Sequence, residues 1–176
     1  MKIEKKSYEL RMYGLVPYNI SPIQQAIQFG HAVVEYGQKV KKVKKVKKVK
    51  KEDKKLYNQW ADNHKTFIIL NGGTTNTNEN SLGTLNLHMK NLQEKGIFLA
   101  PFYEPDLGDQ LTAFVFLVDE RVFNRTLYPD FVINVYDVEN NKAIALEEKR
   151  YKQWVKEIGG EKNVFLREYL RPLKLA

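Results

Sequence analysis

Cysteine is absent from this 176-residue chain, which excludes a disulfide framework, a thiolate metal site and a cysteine nucleophile, and fits a reducing compartment. Long apolar runs are absent too. The start, Met1-Lys2-Ile3-Glu4-Lys5-Lys6, is charged and leads into no apolar stretch, so neither a signal peptide nor a membrane span is expected, and a cytoplasmic location is. Matches to the glycosylation pattern at Asn19 and Asn124 then carry no weight. Histidine is scarce. His64 and His88 have no His, Asp or Glu partner at metal-ligand spacing, so no metal is expected and both read as surface residues. No Gly-Lys-Ser/Thr follows Gly72-Gly73, and neither Gly-x-Gly-x-x-Gly nor Gly-x-Ser-x-Gly occurs. A phosphate cradle and an α/β-hydrolase elbow therefore lack support, and no cofactor is expected.

Charge is present but unevenly placed. Of the net +8, nine lysines and no acid lie between Lys39 and Lys51, so the rest of the chain is close to neutral at −1. The segment repeats Val-Lys-Lys, with Val40, Val43, Val46 and Val49 every third residue. On an α-helix that step drifts by about 60° each time, so the valines wind around the axis and offer no stripe to dock. Neighbouring lysines also repel. The segment reads either as a solvated low-complexity insert, fraying into a mobile arm or a marginal helix extension, or as a polylysine arm attracted to phosphates through residues such as Lys41, Lys44 and Lys47. It also matches a nuclear-import patch in composition.

Between these features the chain alternates strand-like and helix-like stretches. Strands are expected at Tyr8 to Val16, Thr66 to Leu70, Ile97 to Tyr103 and Leu111 to Val118. Helices are expected from Ser21 onward, at Glu52 to Asn63 with Leu56, Tyr57 and Trp60 on one face, and at Ser81 to Lys95 with Leu82, Leu85, Met89 and Leu92 at a/d spacing. This order argues for a single α/β domain with helices covering a sheet. Beyond residue 120, Phe131 to Tyr136 suits a strand, Ala143 to Ile158 a helix, and Phe165 to Leu173 a tail folding back on the domain.

The helix beginning at Ser21-Pro22 is the most informative segment. Ser21 suits the N-cap and Pro22 the first turn. Gln24, Gln28 and His31 fall within a sector of roughly 60°, a polar stripe on a helix otherwise built of Ile23, Ala26, Ile27, Phe29, Gly30, Ala32, Val33 and Val34. A helix this apolar is expected to be mostly buried, so the stripe is either satisfied inside the protein or lines a cleft. If the first and last core strands are neighbours, the acidic loop Glu104 to Gln110 returns to this helix and sets a carboxylate near His31 and the two glutamines. Such a cluster can position a water.

The run Gln28-Phe29-Gly30-His31-Ala32-Val33 after a first strand resembles the glutamine, small-residue, histidine, alanine signature of the type 2 peptidyl-tRNA hydrolase family. So do Tyr57-Asn58-Gln59-Trp60 running into Lys65-Thr66-Phe67-Ile68-Ile69-Leu70, the helix ending Glu94-Lys95-Gly96, and the strand, acidic loop and strand that follow. The likeness covers residues 8 to 120 and is closest to divergent bacteriophage-borne members; residues 121 to 176 are expected to form an extension packing on the same domain. The resemblance implies a four-stranded mixed sheet between helices, hydrolysis of the ester joining peptide to tRNA, and tRNA as partner. It needs no metal and leaves a homodimer open. Carried over, it assigns Gln28 and His31 to the helix, the family's loop aspartate to Glu104 or Asp106, and a later threonine to Thr112. Gln24 stands where the family has lysine, which removes a cation from the substrate side. Two readings follow: an esterase acting on peptidyl-tRNA, weakened or silenced by that loss, or a non-catalytic module binding tRNA, a nucleotide or a host protein on the same fold.

Overall fold

The computed structural model describes residues 7–42, 48–75, 81–133 and 141–176. The chain divides into two compact units, Met1–Asp119 with Pro172–Ala176, and Glu120–Arg171.

The first unit is an α/β fold on a four-stranded mixed sheet. Strands β1 (Leu10–Val16), β2 (Thr66–Asn71), β3 (Leu99–Glu104) and β4 (Gln110–Asp119) lie in the order β2-β1-β4-β3. The β1–β2 pair is parallel and the other two pairs antiparallel. On one face, Leu10, Met12 and Val16 of β1 and Ala113 and Val115 of β4 join Phe29, Ala32, Tyr36 and Val40 of α1 (Pro22–Lys41) and Trp60 of α2 (Lys48–Asn63) in one core. The alternating residues Tyr13, Leu15, Phe114 and Phe116 are buried on the other face. There α3 (Thr84–Glu94), burying Leu85 and Leu92, packs on β3 and β4. The last residues of the chain cover the edge of β2: the Asn71 N–H donates to Lys174 O and the Ala176 N–H to Ile69 O.

Helix α1 starts as expected, with Ser21 accepting from the Gln24 N–H and Pro22 in the first turn. It is not mostly buried, however. It lies on one face of the sheet, so only the side carrying Gln28, Phe29, Ala32, Tyr36, Gly37 and Val40 is covered, while Ile23, Ile27 and Val34 face solvent. At its first residues the lysine-rich segment extends α1, one of the two forms expected for it. Val40 continues the helical spacing of Phe29, Ala32 and Tyr36 and is 1% exposed, and Lys39 donates to Leu99 O at 2.8 Å with its ammonium 5.2 Å from the Phe98 ring centre. Val43, Val46, Lys44 and Lys47 lie outside the described residues.

The two histidines read as surface residues are both half-buried. His64 Nδ1 accepts from the Leu10 N–H at 3.1 Å, tying the end of α2 to β1. Burial holds the His88 imidazole below its ordinary pKa.

Gly14 marks the closest approach of α1 to the sheet. A Cβ there would stand 2.5 Å from the Phe29 ring and 2.7 Å from a Val115 methyl carbon. The Phe29 ring cannot swing aside freely, being packed edge-on against Phe67 at 5.4 Å. Gly14→Ala therefore costs about 1–3 kcal/mol by overpacking and lowers the thermal unfolding midpoint by several degrees. An unchanged midpoint would show that α1 can shift without cost.

In the second unit, a single helical turn α4 (Glu120–Phe123) is followed by α5 (Asn141–Glu157) and α6 (Glu161–Leu170). Phe131–Ile133 form no strand, in contrast to the expectation for Phe131 to Tyr136; residues 134–136 lie outside the described residues. Phe131 instead meets Tyr151 and Trp154 in an aromatic cluster, with ring centres 5.3 and 5.8 Å away. Residues 165–170, expected in a tail, are helical, because Gly160 starts a helix whose Leu166 is buried. The centre of this unit is Arg167, whose guanidinium donates to Asp130 at 2.6 and 3.1 Å, to Tyr128 O at 2.7 Å and to Arg121 O.

Candidate active site

A register irregularity in the β3–β4 hairpin builds the candidate site. Phe102 pairs with Ala113 but Tyr103 pairs with Leu111, so β4 carries one extra residue, Thr112. Regular alternation would point Thr112 away from the face shared by Ala113 and Val115. The bulge re-aims it toward α1. Its hydroxyl there meets Gln28 at 2.6 Å, and Gln28 Nε2 donates to Glu104 Oε2, also at 2.6 Å.

Hydrogen-bonding capacity alone fixes the direction of this chain. A carboxylate only accepts, so Gln28 must turn its NH₂ to Glu104 and its carbonyl to Thr112, and the threonine hydroxyl must donate. Thr112 is 1% and Gln28 9% exposed, so the relay is held in a low-dielectric setting, while Glu104 is half-exposed at the end of β3. Among the described residues Glu104 Oε1 has no hydrogen-bond partner. The site thus presents a carboxylate oriented from behind by two residues on separate elements.

The residues singled out from sequence are sorted by this geometry. Gln28, Glu104 and Thr112 are brought together. His31 is exposed one helical turn from Gln28 and makes no hydrogen bond among the described residues; its ring stacks on Phe102 at 4.6 Å and 20°. Gln24 is exposed, and its Oε1 accepts from the Ser21 N–H and hydroxyl in a capping box, so the amide is used to start the helix. Asp106 lies in the exposed 3-10 turn Pro105–Leu107 and makes no bond to the relay, because the chain turns back at Gly108, where φ is +65°. Lys41 is exposed at the end of α1. No lysine or arginine is bonded to Gln28, Glu104 or Thr112 among the described residues.

Phe102 is the participant that sequence reasoning missed. The expected strand ends at Tyr103, one residue short; only with β3 running to Glu104 does period-two alternation put Phe102 and Glu104 on one face. Among the described residues no group of three or more His, Asp or Glu side chains could hold a metal ion, and no helix is long and apolar enough to cross a membrane. No protein-family model matches the chain, and no curated protein matches it significantly.

Proposed function

We propose that this chain hydrolyses the ester between a peptidyl group and tRNA, with Glu104 as general base. The observation that carries the reading is the buried relay Thr112–Gln28–Glu104, which orients a half-exposed carboxylate through two hydrogen bonds of 2.6 Å. Burying an amide and a hydroxyl only to aim a carboxylate at solvent is costly for a purely structural cluster, and it suits a group that must meet a water in one geometry.

In this mechanism a water bound to Glu104 Oε1 loses a proton to the carboxylate as its oxygen attacks the ester carbonyl carbon. The carbonyl becomes an oxyanion, and the mechanism assigns its hydrogen bond to the second N–H of Gln28 Nε2, the one not given to Glu104. Collapse breaks the bond to the ribose oxygen, and Glu104 returns the proton to that leaving oxygen. The general base supplies about 10²–10⁴-fold and the donor about 10²-fold. What supports the reading is that Gln28, Glu104 and Thr112, three of the residues to which the resemblance to type 2 peptidyl-tRNA hydrolases gives roles, are hydrogen-bonded together, while His31 stands outside the relay.

The second reading, a tRNA-binding module without catalysis, is favoured by Gln24. A lysine there would offer a cation to phosphate or oxyanion, whereas the glutamine carbonyl is tied to Ser21. The deciding measurement is release of an N-blocked amino acid from tRNA by the purified chain. Release well above the buffer rate is expected. Release at the buffer rate, with tRNA still bound, leaves the binding module as the function.

A further inference from the structure

Beside the polar relay, α1 and β3 form a second rung of different chemistry. Gln28 and His31 are three residues apart on α1, a rise of about 4.5 Å. Glu104 and Phe102 alternate on β3. One rung pairs Gln28 with Glu104 and the other stacks His31 on Phe102. The aromatic rung takes no part in the hydrogen-bond relay. Phe102 covers one face of the imidazole, and among the described residues no other ring meets His31. Along α1 it is bordered by Ile27 and Val34, 49% and 60% exposed, and by Gly30, above which nothing lies within 4 Å of where a Cβ would stand. An open floor, apolar at Ile27 and Val34 and bordered one turn further along α1 by exposed Glu35, thus adjoins a ring with one face free.

We infer that the His31–Phe102 stack is the platform for the nucleobase of the terminal nucleoside whose ribose carries the ester. This rests on the ester-hydrolysis reading. The scissile oxygen belongs to a ribose and the base is attached to the same sugar, so a carboxylate acting on that ester must have the base within one sugar's length. A π-face one helical turn from Gln28 meets this requirement. The base extends the two-ring stack to three, with its edge on Ile27 and Val34. An aromatic side chain of the peptidyl group fits the same surface less well, because every substrate carries the terminal base whereas the peptide's residues vary.

The test uses the full chain and a tRNA acceptor mini-helix ending in 2-aminopurine, whose fluorescence is quenched on stacking. Wild-type protein is expected to bind and quench. His31→Phe keeps the quench, because an aromatic face is retained; His31→Ala and His31→Gln lose it and bind about tenfold more weakly, as removal of a base-stacking ring does elsewhere. Phe102→Leu weakens the quench by loosening the imidazole. Binding by wild type without quenching overturns the inference and leaves the hydrolase reading intact, whereas failure to bind the mini-helix at all removes both. Quenching unchanged in His31→Ala also overturns it, as does a fluorescent aromatic side chain in the peptidyl position being quenched while the terminal base is not.

Discussion

Glu104→Gln lowers the rate of ester release by 10²-fold or more while leaving the thermal unfolding midpoint near that of the wild type. The substitution keeps size and shape, and a glutamine carbonyl can still accept from Gln28 Nε2, so the relay survives at this end. What is lost is the ability to take a proton from water, the step assigned to the carboxylate. Because Glu104 is half-exposed at a strand end, the neutral side chain carries little folding penalty. Thr112→Val provides the contrast. It leaves the buried Gln28 carbonyl without its donor, which costs about 1–3 kcal/mol of stability and also frees the amide that aims the carboxylate. The two variants therefore separate chemistry from positioning: one slows release at constant stability, the other loses both. Hydrolysis by Glu104→Gln at the wild-type rate would remove the carboxylate from the mechanism.

Asp130→Ala unfolds the second unit selectively. Three guanidinium groups converge on Asp130: Arg125, Arg167 at 2.6 Å and Arg171 at 3.1 Å. Arg167 is 1% exposed, while the Asp130 side chain is 38% exposed. Losing the carboxylate leaves a buried cation with only the carbonyls of Arg121 and Tyr128. Breaking one partner of a buried pair costs about 3–5 kcal/mol, and the exposure of Asp130 places this case at about 3 kcal/mol. Amide hydrogen exchange in α5 and α6 should accelerate about a hundredfold, with exchange in β4 unchanged. Equal acceleration in both units would refute an independent role for this network.

Acid should act on the same cluster. Burial pushes the Asp130 carboxyl upward, but hydrogen bonds and charge from Arg167 and Arg125 outweigh it and hold the group below the usual carboxylate range. A carboxyl depressed in the folded state adds stability that is fully present above its unfolded pKa of about 3.9 and is lost as pH falls through the lower folded value. The wild-type second unit thus loses stability below about pH 4. In Asp130→Asn, stability should depend less on pH over that range.

Much of the first unit was legible in order and spacing. The start of α1 at Ser21, the strand-helix alternation, and the burial of Leu85 and Leu92 on α3 depend on interactions within a few residues, where periodicity and capping chemistry are decisive; Leu82, expected on the same stripe, precedes the helix, which starts only at Thr84, and is exposed. The burial of α1 was overestimated, because an apolar composition does not say how much of a helix the sheet can cover. The end of the helix had no signal of its own, since Val40 keeps the core spacing inside the lysine run.

The sequence determined by itself which side chains share a face of α1, because backbone geometry repeats every 3.6 residues whatever surrounds it. Only the tertiary structure decided that Gln28 turns inward while Gln24 caps the helix, that Thr112 is swung by a bulge onto Gln28 from 84 residues away, and that Asp130 meets Arg167 across 37. These are long-range pairings, chosen by register and by the need to satisfy every buried polar group at once, and no local pattern encodes that balance.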